Sequence, residues 1–430
     1  MPATFNTERL ARLSTIAQQE IDQQLIAGCA VGVGSENGLQ LESYHGLANA
    51  EDSIRVSAET IFRIASMTKP ITSVAIMILY ERGIFLLDDA VERYLPEFSN
   101  MQVFSGQRDE KGNALTRPAK SSITIRQLLS HSSGIGYSFS HPKLANYYKA
   151  ANIRDWGYSD STTIKDIVQR IGEQPLAFDP GTRWLYGLNT DVLGRLVEVL
   201  SGMSFAEFLQ AEIFEPLAMS NTTFYPDTQQ SERLSRVYTP DVTTDRYDDI
   251  SFWDAKQEFN IPQGAGLRRL SKTELECLVN VDFDIVHSPE TGKQTYYSGG
   301  AGLHSTLQDY SNFCQMMVSR GKHQGQTVLS ETSIELMRCN NIGELNITLG
   351  GSPRDKFGLG FGIIQDMGAQ PFLSAIGNYY WGGAYNTRFF LDPVHRIYAI
   401  SLTQLYPNFH CDINNRLMGL TYQALESSPT

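Results

Sequence analysis

Ser66 and Lys69 stand three residues apart in Ala65-Ser66-Met67-Thr68-Lys69-Pro70, and an apolar run from Ile71 to Leu79 follows them. Side chains three apart on a helix share one face. A hydroxyl in the first turn also meets free backbone N–H groups and the positive end of the helix dipole. A serine there can become an alkoxide. Pro70 is tolerated only near a helix start, so it agrees with a helix beginning at this serine. The lysine can take the serine's proton only when uncharged near pH 7, a state that burial in a cleft favours.

Ser-x-x-Lys also occurs at Ser140/Lys143 and Ser319/Lys322. Ser140 leads into His141-Pro142 with no apolar helix expected behind it, and Ser319 precedes Arg320-Gly321, which reads as a helix end. Ser66 alone opens a long apolar helix. A tyrosine beside the lysine could share the proton transfer. Tyr186 is a candidate, because it follows the turn Pro180-Gly181-Thr182 and precedes a helix expected from about Asp191. Taken alone, as one of 20 tyrosines, it reads first as a packing residue. No Gly-x-Ser-x-Gly segment occurs, which excludes the nucleophile elbow of α/β-hydrolases.

These residues must be held by a scaffold. Thr7 to Ile26 carries apolar residues at helical spacing, and Cys29–Gly34 and Leu39–His45 read as strands joined at Asn37-Gly38. Ser99 to Ser122 reads as a loop. Helices are expected at Thr124–Leu129, Ile164–Ile171, Asp191–Leu200, Phe205–Glu212 and Lys272–Phe283, with a long polar segment from Tyr225 to Asn260. Further helices are expected over Leu307–Ser319 and Leu329–Arg338. Strands are expected at Gly358–Gln365, Tyr379–Trp381, Thr387–Leu391 and Ile397–Thr403. The layout predicts two domains. Residues 1–95 and 290–430 would form an α/β domain around an antiparallel sheet, and residues 96–289 a mostly helical one, with Ser66 at the seam.

The 430 residues carry a net charge of −12, which argues against a nucleic-acid partner and against anionic lipid. No apolar run reaches the roughly 18–20 residues that span a bilayer. The N-terminal segment lacks the pattern of a secretory signal, so a cytoplasmic location is expected. Five widely spaced cysteines predict neither disulfides nor zinc, and Asp88-Asp89 and Asp248-Asp249 lack metal spacing. His131 is expected to hold a turn. No metal or cofactor is expected.

Four blocks in order resemble the serine β-lactamase and penicillin-binding-protein superfamily, and within it the class C-like hydrolases and family VIII carboxylesterases. They are FRIASMTKPITSVAIMILYERGIFLLDDAVERYLPEF, ITIRQLLSHSSGIGY, PGTRWLYGLNTDVLGRLVEVLSG and WGGAYNTRFFLDPVHRIYAISLTQLYP. With YSGGAGLHSTLQDYSNF, the resemblance covers most of residues 25–410. It implies that Ser66 is acylated, that Lys69 accepts its proton and that Tyr186 is the partner base. It implies an oxyanion hole from the N–H groups of Ser66 and Ala384. Trp381-Gly382-Gly383-Ala384 stands where a Lys-Thr-Gly strand is usual, so Trp381, Gly382 and Gly383 are expected to line the substrate. The motif asparagine is replaced by Leu188, with Asn189 one position late as the expected substrate contact. Both departures favour a small to medium carboxylic ester as substrate. An amide or peptide, acyl transfer, slow β-lactam hydrolysis and a non-enzymatic penicillin sensor stay open. The oligomeric state is not legible.

Overall fold

The computed structural model describes residues 3–110, 112, 114–155, 161–241, 266–270, 295–406 and 411–427. Helix α1 (Thr7–Asp22) is capped by Asn6, whose side chain accepts from the Arg9 N–H. Strands β1 (Gly28–Ser35) and β2 (Gly38–Asn49) meet at a tight turn where Gly38 has φ 97°. After the short β3 (Ile54–Arg55), a single 3₁₀ turn, Ala65–Met67, leads into α2 (Thr68–Glu81). Every α2 residue from Thr68 to Leu79 is buried, so the helix is enclosed on all sides, with its polar residues Thr68, Lys69, Thr72 and Ser73 in the first turns. Two further helices, α3 (Asn189–Ser201) and α4 (Leu307–Val318), pack on α2 and on the sheet respectively.

The remaining strands of the main sheet are β4 (Lys356–Phe357), β5 (Gly362–Ile363), β6 (Tyr379–Gly383), β7 (Thr387–Asp392) and β8 (Ile397–Thr403), and helix α5 (Ile413–Ala424) follows them. They form one antiparallel sheet in the order β4-β5-β6-β7-β8-β1-β2-β3. Both ends of the sequence therefore share it: β8 pairs with β1, with Ser401 opposite Val31. Alternation splits the core. Phe389, Leu391 and Ile400 face α2 and α4, whereas Phe390, Ala399 and Val33 lie under α1 and α5. Burying each such large apolar side chain contributes about 1.5–3 kcal/mol. β1 can be central because its residues are small. A Cβ on Gly32 would lie 3.1 Å from Leu307, so the glycine lets α4 sit close.

Several expectations are adjusted. Ser99–Ser122 is not a plain loop: Gln102–Arg108 and Ala114–Pro118 form a hairpin that anchors through Val103 and Phe104 and is otherwise mostly exposed. A helix, Pro142–Ala150, follows Ser140 after all, with Leu144 and Tyr148 buried. Gly358–Gln365 is mostly a turn, because Gly360 at φ 96° breaks the extended run and packs on Ser73. Lys272–Phe283, Asp248-Asp249 and the part of Tyr225–Asn260 beyond 241 lie outside the described residues. Among the described residues, no helix is long and apolar enough to cross a membrane.

Candidate active site

Ser66 sits in the 3₁₀ turn and Lys69 in the first turn of α2, both buried, with Lys69 Nζ 3.2 Å from Ser66 Oγ. The residue before the serine, Ala65, has φ 44°, a strained left-handed conformation for a side chain with a Cβ. The strain has a structural source: β6 ends against this turn. A Cβ on Gly383 would lie 2.4 Å from the Ile64 carbonyl and 3.3 Å from Ala65 Cβ. Glycine at 383 thus lets the strand end, carrying Ala384, approach Ser66.

Lys69 has two further neighbours. Its Nζ lies 2.7 Å from the Gly300 carbonyl and 3.0 Å from the Tyr137 hydroxyl. Burial pushes the amine down to about 7, against the opposing pull of Asp191. An uncharged amine has two N–H donors and one lone pair. Gly300 must take one N–H, because a carbonyl only accepts. With the Tyr137 hydroxyl oxygen accepting the other N–H, the lone pair is free to receive the Ser66 proton.

The Gly300 carbonyl is fixed by its own loop. Thr72 Oγ1 donates to the Gly299 carbonyl at 2.7 Å, and Thr68 Oγ1 accepts from the Leu303 N–H at 3.1 Å. A Cβ on Gly299 would meet the Thr190 carbonyl at 2.3 Å, and one on Gly300 would meet Asp191 at 2.7 Å. Asp191 is buried and accepts from Tyr296 at 2.9 Å and Ser298 at 2.7 Å. Burial raises its pKa, and those hydrogen bonds and Lys69 oppose the rise.

Tyr186 is buried, and its hydroxyl bonds to Ser66 and accepts from Trp381 Nε1 at 3.2 Å. Lys69 Nζ stands 4.5 Å above its ring centre, so amine and phenol communicate through the serine. Burial raises the Tyr186 pKa, as it does that of Tyr137. Both phenols are therefore held protonated, and neither is a standing tyrosinate.

Tyr137 is the residue that sequence reasoning missed, although it ends the block ITIRQLLSHSSGIGY. The signal was the glycine beside each tyrosine. A Cβ on Gly187 would lie 2.4 Å from Gly136 Cα, so Gly136-Tyr137 and Tyr186-Gly187 touch backbone to backbone. Their rings meet at 5.3 Å.

Asn189 is a correction. It is fully buried away from the cleft, donating to the Ile135 carbonyl at 3.0 Å and pairing with His131 Nδ1 at 3.0 Å, while Ser133 donates to its carbonyl. It opens α3 and clamps the 131–135 loop that leads to Tyr137, so its amide has no freedom to meet a substrate. His131, at φ 56°, shapes that loop as expected.

Trp381, Gly382, Gly383 and Ala384 line a cleft of about 530 Å³ together with Ser66 and Tyr186. Trp381 is buried against Tyr186 and Phe357, so its indole also orients the phenol. Among the described residues, no group of side chains is placed to hold a metal.

The beta-lactamase family model matches residues 13–423. Esterase EstB of Burkholderia gladioli is 28% identical over 401 residues, covering 91% of this chain and 90% of that protein. The ML-236A carboxylate methylbutanoyltransferase mlcH of Penicillium citrinum is 39% identical over 166 residues, 39% of this chain and 38% of that enzyme. Among solved structures, EstCE1, described as a hydrolase with promiscuous acyltransferase activity, aligns with a TM-score of 0.73 at 25% identity over 96% of this chain and 98% of its own. With the family match running over nearly its whole length, this chain belongs to the beta-lactamase family.

Proposed function

We propose that the chain is a serine hydrolase that works through an acyl-enzyme on Ser66, with small to medium carboxylic esters as preferred substrates. The observation that carries this reading is the buried Lys69 amine 3.2 Å from the Ser66 hydroxyl. Lys69 takes the proton as Oγ attacks the ester carbonyl. The N–H groups of Ser66 and Ala384 hold the oxyanion, a contact worth about 10²–10³ in rate per donor. The Tyr186 phenol, kept protonated by burial, supplies a proton to the departing alkoxide. The Lys69 ammonium then returns the serine's proton to the phenolate, which resets both groups. In deacylation Lys69 takes a proton from the attacking water and passes it to Ser66 Oγ as the acyl bond breaks. The likeness to EstB supports ester chemistry.

Acyl transfer is the second reading, supported by the transferase relative and by the promiscuous acyltransferase activity of EstCE1. The same acyl-enzyme serves both, because an alcohol can take the place of water. The site lies at the seam of the two proposed domains, 1–95 with 290–430 and 96–289. Short-chain nitrophenyl esters test the proposal: turnover is expected, with a loss on the order of 10⁴-fold or more in Ser66→Ala. No turnover by the unaltered protein, or full activity in Ser66→Ala, defeats it.

A further inference from the structure

Beyond Ser66, the cleft runs past Gly382 to Thr348–Ser352, Gln370 and the start of α5, and Arg388 lines it there. Arg388 sits on β7 directly opposite Gly382 on β6. A Cβ on Gly382 would lie 3.9 Å from Arg388 Cα and Cβ, so the glycine leaves the arginine uncovered on that side. The guanidinium stacks 4.8 Å from the centre of the Tyr380 ring. Its Nε is buried without a hydrogen-bond partner. Among the described residues, the Arg388 side chain makes no hydrogen bond and no ion pair.

The nearby carboxylate of Asp355 feels the guanidinium's charge but accepts its hydrogen bonds from other groups. Asp355 is engaged by the Tyr380 hydroxyl at 2.5 Å, the Gln370 amide at 2.8 Å and the Ser352 N–H at 3.1 Å. Among the described residues that line the cleft, Arg388 is the one cation and Asp412 the one acid. Gly382 is two residues from Ala384, or about 7 Å along the strand. A guanidinium is a planar fork that matches a carboxylate with two parallel hydrogen bonds. In a chain of net charge −12, a half-covered arginine in a cleft is a specific place for an anion.

We propose that Arg388 binds a carboxylate carried by the substrate a few bonds from the reacting carbonyl. The proposal rests on the esterase reading of the same cleft and narrows it to esters of acidic acids or of hydroxy acids. Two matched pairs separate those sources. One compares 4-nitrophenyl valerate with mono-4-nitrophenyl glutarate. The other compares an alkyl valerate with one whose alcohol ends in a carboxylate. In one pair the carboxylated member is expected to have the higher kcat/KM. Arg388→Met should lower that ratio by about tenfold to a hundredfold, and Arg388→Lys should restore part of it. Binding of glutarate, with glutaramide as the uncharged control, measures the same contact without turnover. Should Arg388→Met fail to fold, glutarate binding by the unaltered protein with glutaramide excluded still supports the site, and equal binding of the two overturns it. Turnover of neutral esters with no preference for either carboxylated member overturns the Arg388 proposal alone. Glutarate binding that needs Arg388, without turnover of any ester, sinks the esterase reading and leaves the anion site standing.

Discussion

The two ends of the cleft are built on opposite principles. At the Ser66 end the hydroxyl, the amine and both phenols are buried, and their partners include one another, the Gly300 carbonyl and the Trp381 indole. At the far end Ser352, Gln370, Arg388, Asp412, Asn414 and Asn415 offer varied polar groups, and Arg388 is unclaimed. Dehydration does the work at the first end: it turns a lysine into a base near neutral pH and keeps two phenols protonated. Hydrogen-bond chemistry is all the second end can supply. Reactivity and selectivity are therefore separable here, and mutations should divide the same way.

After Ser66→Ala, Lys69→Met should break the first end most, with ester turnover falling about 10²–10⁴-fold. It should also raise the melting temperature. The folded pKa of about 7 lies below the unfolded value, so the folded state is penalised for a proton that the unfolded chain keeps. That penalty is full below pH 7 and fades as pH climbs toward the unfolded pKa of about 10. The gain, on the order of a few degrees, should therefore be larger at pH 6 than at pH 9. A melting temperature that falls at both pH values would contradict a strained, dry amine.

Tyr186→Phe and Tyr137→Phe sharpen the division within that end. Tyr186 bonds to the serine and so acts on the transferred proton, and its loss should lower kcat about 10²-fold. Tyr137 touches the lysine, and its loss should cost about tenfold. Stopped-flow acylation and steady-state rates measure both, and equal effects would merge the two roles. The mildest change belongs to the far end, where Arg388→Met should alter the choice of ester more than the speed of the chemistry.

The sequence carried the Ser66–Lys69 pair because the contact is local, three residues along one helix. It carried the sheet because β1, β2, β7 and β8 alternate or bury small residues in plain runs. Tyr137 was hidden because it meets Lys69 across 68 positions, through a loop whose path depends on Asn189 and on the contact of Gly136 with Gly187. Asn189 misled for the same reason. Its spacing from Tyr186 says nothing about which way an amide points once α3 starts there. The 102–118 hairpin escaped because it is largely exposed, so its strands carry little apolar alternation. Arg388 could not be read as a binding group until its register opposite Gly382 was known.

The most direct measurement is the pH dependence of the acylation burst with a nitrophenyl ester, followed by peptide mass mapping of the trapped adduct. An amine held near pH 7 by burial predicts a rate that rises through one ionisation at about pH 7 and then levels, with the acyl group on the peptide containing Ser66. A rate still climbing toward pH 10, or an adduct on any other residue, would contradict it.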